Sequence, residues 1–89
     1  MRSIRPKGPF RRDVKRLKRR GWDIGVLDTV IQAIQRDDAL PAGARPHLLQ
    51  GEWLGYWECH IANDWLLIYK VNSAELLLAR TGTHADLFE

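Results

Sequence analysis

Trp65-Leu66-Leu67-Ile68-Tyr69-Lys70-Val71 is the stretch on which the fold turns. Rich in aromatic and aliphatic residues, it reads as the central strand of a sheet. Ala62-Asn63-Asp64 before it and Asn72-Ser73 after it have the short polar side chains of tight turns. Beyond the first turn, from Trp53 to Ile61, the period is two. Trp57, Cys59 and Ile61 point one way, and Tyr56, Glu58 and His60 point the other, as in a half-buried strand. Beyond the second turn, Glu75 to Thr81 is a further strand. The three make an antiparallel meander.

The first half of the chain has a helical period instead. Gly8-Pro9 opens a helix, because proline costs nothing at the first helical position. Phe10, Val14 and Leu17 then form one narrow apolar stripe among basic residues, and Gly21 ends the helix. Asp23 caps a second helix, whose Ile24, Leu27, Val30, Ile31 and Ile34 repeat at buried-face spacing. The two should form a hairpin with Trp22 as a plug between them. Residues 2–7 alternate around Ile4 as a short edge strand, and residues 37–46, with two prolines and a glycine, are a loop. The expectation is an α+β fold: an N-terminal edge strand and a helical hairpin packed on a small antiparallel sheet, in one domain spanning residues 1–89.

Composition narrows the function. An apolar fraction of 45% with four tryptophans supplies one core. One cysteine, Cys59, forms no internal disulfide, which suggests a reducing compartment. No apolar run approaches the roughly 18 residues of a membrane span, and the N-terminus has no signal-like segment, so the expectation is a cytoplasmic protein without a membrane partner. The net charge of +3 conceals a polarity: residues 1–20 carry ten of the 14 basic residues and one acid, leaving the remainder at −6. Such an asymmetry favours a polyanionic partner or, alternatively, describes a solvated helix face.

All three histidines, His47, His60 and His84, lie in or beside the sheet half, together with Asp64 and Arg80. Imidazole exchanges protons near neutrality, and cleaving an RNA phosphodiester needs a base for the 2′-hydroxyl, a cation for the charge on phosphorus and an acid for the departing 5′-oxygen. This chain has candidates for each. A metal site competes weakly, because His60 and Asp64 are four apart on a strand and turn, where that spacing does not converge. Cys59 and His60 are adjacent on a strand, so they face opposite ways and cannot act as a nucleophile–base pair. Arg80 closes an apolar strand, where it either clamps an anion or pairs with Asp64 or Glu58. Trp65 and Phe88 are candidates for stacking on bases, or else for core packing; Trp53 and Trp57 read as core. Arg11, Arg12, Lys15, Arg16, Arg19 and Arg20 can follow a phosphate backbone, positioning RNA without reading its sequence.

Four segments together resemble a known family: His47-Leu48-Leu49-Gln50-Gly51, Trp53-Leu54-Gly55-Tyr56, Asn63-Asp64-Trp65-Leu66-Leu67-Ile68-Tyr69-Lys70 and Arg80-Thr81-Gly82-Thr83-His84-Ala85-Asp86-Leu87-Phe88. In order and spacing they are similar to the YafQ branch of the RelE/ParE toxin superfamily, over about residues 10 to 88. The resemblance implies a RelE-like fold and a type II toxin: a metal- and cofactor-free endoribonuclease that cuts mRNA on the ribosome. It also implies silencing by a cognate antitoxin, with operator DNA reached only through the toxin–antitoxin complex. Its site would comprise His47, His60, Asp64, Trp65, Arg80, His84 and Phe88, with His84 as acid, Arg80 as clamp and Asp64 or His60 as base. One departure is Leu48, where the family often has proline after the first histidine. The competing expectations are a ParE-like protein that binds DNA gyrase, and a basic binding module without catalysis.

Overall fold

The computed structural model describes residues 1–88. Its centre is β4 (Trp65–Val71), bordered by β3 (Trp57–Ala62) and β5 (Glu75–Gly82) in antiparallel register. Leu66 and Ile68 point to one face, Trp65, Leu67 and Tyr69 to the other, and both faces are covered, so apolar residues run nearly unbroken along the strand. Ala62 pairs with Trp65, leaving Asn63-Asp64 as a two-residue hairpin turn, and Asn63 takes the positive φ of 35° that this connection requires. On the other side, Ile68 pairs with Arg80 and Tyr69 with Leu78. Ala79 is the extra residue of a β-bulge, which re-aims the strand just before Arg80.

Two strands complete the sheet, in the order β1-β5-β4-β3-β2. β2 (His47–Leu48) adds an antiparallel edge to β3, and β1 (Ser3–Pro6) adds the opposite edge to β5. The predicted edge strand is therefore present, but it runs parallel to its neighbour, so the sheet is mixed rather than wholly antiparallel. Connections without a crossover reverse β2 to β5 one after another, a helical turn at Gly51–Trp53 lying between β2 and β3, whereas β1 is joined to the sheet through two helices, which free it from that alternation. Arg2 fixes β1 in place. Its Nε donates to the Asn72 carbonyl at 2.6 Å and its Nη1 to the Ile34 carbonyl at 2.7 Å.

The helices α1 (Gly8–Arg19) and α2 (Ile24–Arg36) have the expected ends. Pro9 lies in the first turn of α1, Gly21 takes φ 85° beyond its end, and the Asp23 carboxylate caps α2 by accepting from Gly25 N at 2.9 Å. Their apolar faces meet the sheet in the main core, around Leu17, Leu27, Ile31, Cys59, Leu67 and Leu76. Trp22, in the connection between the helices, packs against the main core. Its ring also meets Trp65 of β4, centroids 5.1 Å apart at 57°.

The opposite face of the sheet is not left to solvent. Leu66, Ile68 and Ala79 are covered by Leu87 of a short terminal helix, α3 (His84–Phe88), and flanked by Leu49, Trp53 and Tyr56. Trp53 and Trp57, read from the sequence as core, are half-buried and pack against the edges of two different cores. No helix among the described residues is long and apolar enough to cross a membrane.

Candidate active site

The site grows from the β3–β4 hairpin tip and the β5–α3 junction. Asp64, in the turn, and His84, the first residue of α3, meet there: His84 Nδ1 lies 2.6 Å from Asp64 Oδ1, and the His84 backbone N–H donates to the same oxygen at 3.1 Å. With the proton on Nδ1 directed at the carboxylate, Nε2 is the nitrogen left for a substrate. Hydrogen bonding from the His84 ring, then from its backbone, lowers the Asp64 pKa below its ordinary value. Both side chains are more than half exposed, so the pair adds little to stability and its effect is to orient the imidazole.

Around this pair stand two more predicted residues. His60 of β3 has its ring centroid 6.4 Å from that of His84, and the Phe88 ring lies 6.1 Å away on the other side. Phe88 is 44% exposed and able to receive a base. The His60 Nδ1 is buried without a hydrogen-bond partner among the described residues. A cleft of about 410 Å³ opens beside Asp64, walled by Trp22, Val26, Trp65 and Thr83. It adjoins one of about 620 Å³ between α2 and the 41–45 loop, to which His60 contributes.

The structure reassigns three other expectations. Trp65 is not open to a base: it is 5% exposed, packed on Trp22, and its indole N–H donates to Thr81 Oγ1 at 2.8 Å. Arg80 pairs with neither Asp64 nor Glu58. Its Nε and Nη2 donate to the two oxygens of Asp13 at 2.7 and 3.1 Å, and this bonding raises the pKa of the guanidinium. One edge of the fork is thereby engaged, which leaves Nη1 without a hydrogen-bond partner among the described residues. Finally, two of the six basic residues expected to follow a phosphate backbone are engaged with acids. Arg20 makes a bidentate pair with Asp86 at 2.8 and 2.9 Å, and Arg16 lies 3.5 Å from Asp13 and 3.8 Å from Asp86. Arg11, Arg12, Lys15 and Arg19 remain exposed on α1.

His47 stands one strand further out. It is paired in register with Glu58, its Nε2 3.4 Å from Glu58 Oε1, and its Nδ1 lies 3.2 Å from the Arg45 carbonyl. Glu58 and His60 are two apart on β3 and share a face, so His47 borders the His60 side of the site without joining the Asp64–His84 pair. Cys59 is buried on the other face, and burial pushes its thiol up to about 12, so it stays protonated and inert.

Two acids central to this geometry escaped the sequence reading, although both left a signal. Asp13 sits within the Phe10–Val14–Leu17 stripe, so an acid at that position is buried and demands a cation; it is 1% exposed. Asp86 completes the pattern Thr83-His84-Ala85-Asp86, the signature of a capping box. Thr83 Oγ1 accepts from Asp86 N and Asp86 Oδ2 accepts from Thr83 N, each at 3.0 Å. Hydrogen bonds from Arg20 above all hold the Asp86 carboxyl well below the usual carboxylate range.

A family model described as the bacterial toxin of a type II toxin-antitoxin system, YafQ, matches residues 2–89. The chain belongs to the YafQ toxin family. It is 40% identical to the mRNA interferase toxin YafQ of Escherichia coli K12 over 98% of this chain and 96% of that one. The solved E. coli DinJ–YafQ toxin–antitoxin complex contains a chain that superposes with TM-score 0.89 at 39% identity, over 99% of this chain and 98% of the other. A metal-bound toxin from Helicobacter pylori superposes with TM-score 0.91 at 31% identity, over 99% of this chain and all of the other. Among the described residues of this YafQ-family chain, no three His, Cys, Asp or Glu side chains are gathered as a metal site requires. Of the site positions implied by the YafQ resemblance, His60, Asp64, His84 and Phe88 form one cluster; Trp65 walls the cleft beside Asp64 from within the core, Arg80 is held by Asp13, and His47 faces Glu58.

Proposed function

We propose that this YafQ-family protein is an mRNA interferase that cuts messenger RNA on the ribosome in the cytoplasm and is held inactive by a cognate antitoxin. The observation that carries the reading is the Asp64–His84 pair at an open surface, with a second imidazole 6.4 Å from the first. Two imidazoles flanking one phosphate supply the acid and the base of an in-line displacement by the 2′-hydroxyl.

His84 is the acid in this scheme. As an imidazolium it donates Nδ1–H to Asp64, whose charge stabilises it, and delivers the Nε2 proton to the 5′-oxygen as the phosphorus–oxygen bond breaks. His60 is the base that takes the 2′-hydroxyl proton. Asp64 is the poorer base, because two hydrogen bonds from His84 to one oxygen lower its proton affinity. Arg80 faces the developing charge through the end of its fork that Asp13 leaves open. Phe88 stacks on a base next to the scissile phosphate, and Arg11, Arg12, Lys15 and Arg19 engage ribosomal RNA. The products are a 2′,3′-cyclic phosphate and a 5′-hydroxyl, with no water or metal consumed in the first step.

Primer extension on translated messages tests this. Codon-phased cuts with 5′-hydroxyl ends are expected from the wild-type chain, and His84→Gln should lower the single-turnover rate on programmed ribosomes by at least about 10²-fold, the lower range for acid catalysis. Uncut messages with inhibited DNA gyrase would instead select a ParE-like binding function.

A further inference from the structure

The geometry points to Arg20 and Asp86 as positioning residues that set His84 against Asp64 through the N-terminus of α3; the inference deepens the reading above and rests on it. A five-residue helix cannot hold its own conformation in water, since nucleation is unfavourable at that length. The register of α3, and so the place of its first residue, must be imposed from outside.

Three restraints impose it. Leu87 is buried against the second core and donates its N–H to the Thr83 carbonyl at 3.1 Å, anchoring the far end. The Thr83–Asp86 capping box closes the first turn. The Asp86 carboxylate is in turn gripped by both nitrogens of the Arg20 fork, one oxygen to each, and Arg20 itself lies over the Trp22 ring at 5.7 Å. Asp86 Oδ2 thus receives both the Arg20 Nη1 and the Thr83 N–H, so the ion pair and the cap share an atom. Gly82 makes room for this fold-back: a Cβ there would lie 2.8 Å from the same oxygen. The next peptide along is that of His84, whose N–H and ring both address Asp64 Oδ1. A bidentate pair fixes direction as well as distance, so Arg20, at the end of α1, determines where the His84 imidazole points. Arg20 acts through His84 and is distinct in this from Arg11, Arg12, Lys15 and Arg19, which are exposed on α1 and have no acidic partner among the described residues.

The test compares Arg20→Gln and Asp86→Asn with wild type in single-turnover cleavage on programmed ribosomes, alone and in an Asp64→Ala background. Each is expected to lower the maximal rate about tenfold or more with little change in half-saturating ribosome concentration. In the Asp64→Ala background the further loss should be under about twofold, since the acceptor for the His84 ring and backbone N–H is gone and the pair being positioned is already broken. Arg20→Lys should recover only part of the rate, because an ammonium lacks the planar fork. The proton on His84 Nδ1, followed by nitrogen-15 imidazole spectroscopy on the free protein, should be slowly exchanging in wild type and rapidly exchanging in Asp86→Asn. If Arg20→Gln instead raises the half-saturating concentration at unchanged maximal rate, Arg20 binds RNA directly and the inference falls. It falls equally if the losses in the two backgrounds multiply. The imidazole measurement needs no cleavage, so an inactive wild-type protein would refute the nuclease reading without touching the positioning result.

Discussion

Removing Asp13 should cost more than removing any other charged group in the protein. The carboxylate is 1% exposed and accepts from Arg80 at 2.7 and 3.1 Å and from the Thr81 backbone N–H at 3.1 Å, in the midst of the α1 apolar stripe. In Asp13→Ala, Arg80 loses its counter-ion, a loss worth about 3–5 kcal/mol for a fully buried pair. The Arg80 side chain is 24% exposed and partly resolvates, so the lower end applies. The orphaned Thr81 N–H, at a residue with no exposure, adds about 1–3 kcal/mol. A loss of about 4 kcal/mol is therefore expected, against a total stability of roughly 4–13 kcal/mol for a chain of this size. Equilibrium urea unfolding of the isolated toxin measures it directly. The cycle with Arg80→Ala should show that Asp13→Ala costs at least about 1 kcal/mol less once Arg80 is gone, and Asp13→Asn, which keeps an acceptor for Thr81 N–H, should fall between. A loss below about 1 kcal/mol in Asp13→Ala would mean that the buried pair does not anchor α1 to β5.

Stability should fall with acid in a definite window. Asp64 and Asp86 both have folded-state pKa values below their ordinary value, so the unfolded chain binds more protons; their contribution is complete above the ordinary carboxylate pKa of about 4 and fades as pH drops through the lowered values. Urea midpoints between about pH 6 and pH 2 should therefore decline in wild type and decline less in Asp86→Asn. Trp65→Phe should cost about 1–2 kcal/mol through the missing bond to Thr81 and reduced packing on Trp22, while ribosome affinity in a filter-binding assay stays unchanged; a clear affinity loss would restore Trp65 as a stacking residue. Replacing Arg11, Arg12, Lys15 and Arg19 together by glutamine should flatten the log–log salt dependence of RNA binding by about 0.7 for each phosphate no longer neutralised. An unaltered slope would leave that face merely solvated.

Sequence alone determined the elements whose cause is local. Helix ends follow from Pro9, Gly21 and Asp23, the central strand from its unbroken apolar run, and the hairpin tip from Asn63-Asp64, because each depends on the conformational preference of a few neighbouring residues. The resemblance to the YafQ branch likewise named His60, Asp64, His84 and Phe88 before their proximity was known. Tertiary structure alone decided the pairings between distant residues: β1 running parallel to β5, Arg80 facing Asp13 across 67 positions, and Arg20 reaching Asp86 across 66. Charge attraction has no sequence period, and a cation on a strand end meets whichever acid the packing of α1 brings to it. Arg20, read from sequence as a free ligand for phosphate, is accordingly found gripping Asp86 at the start of α3.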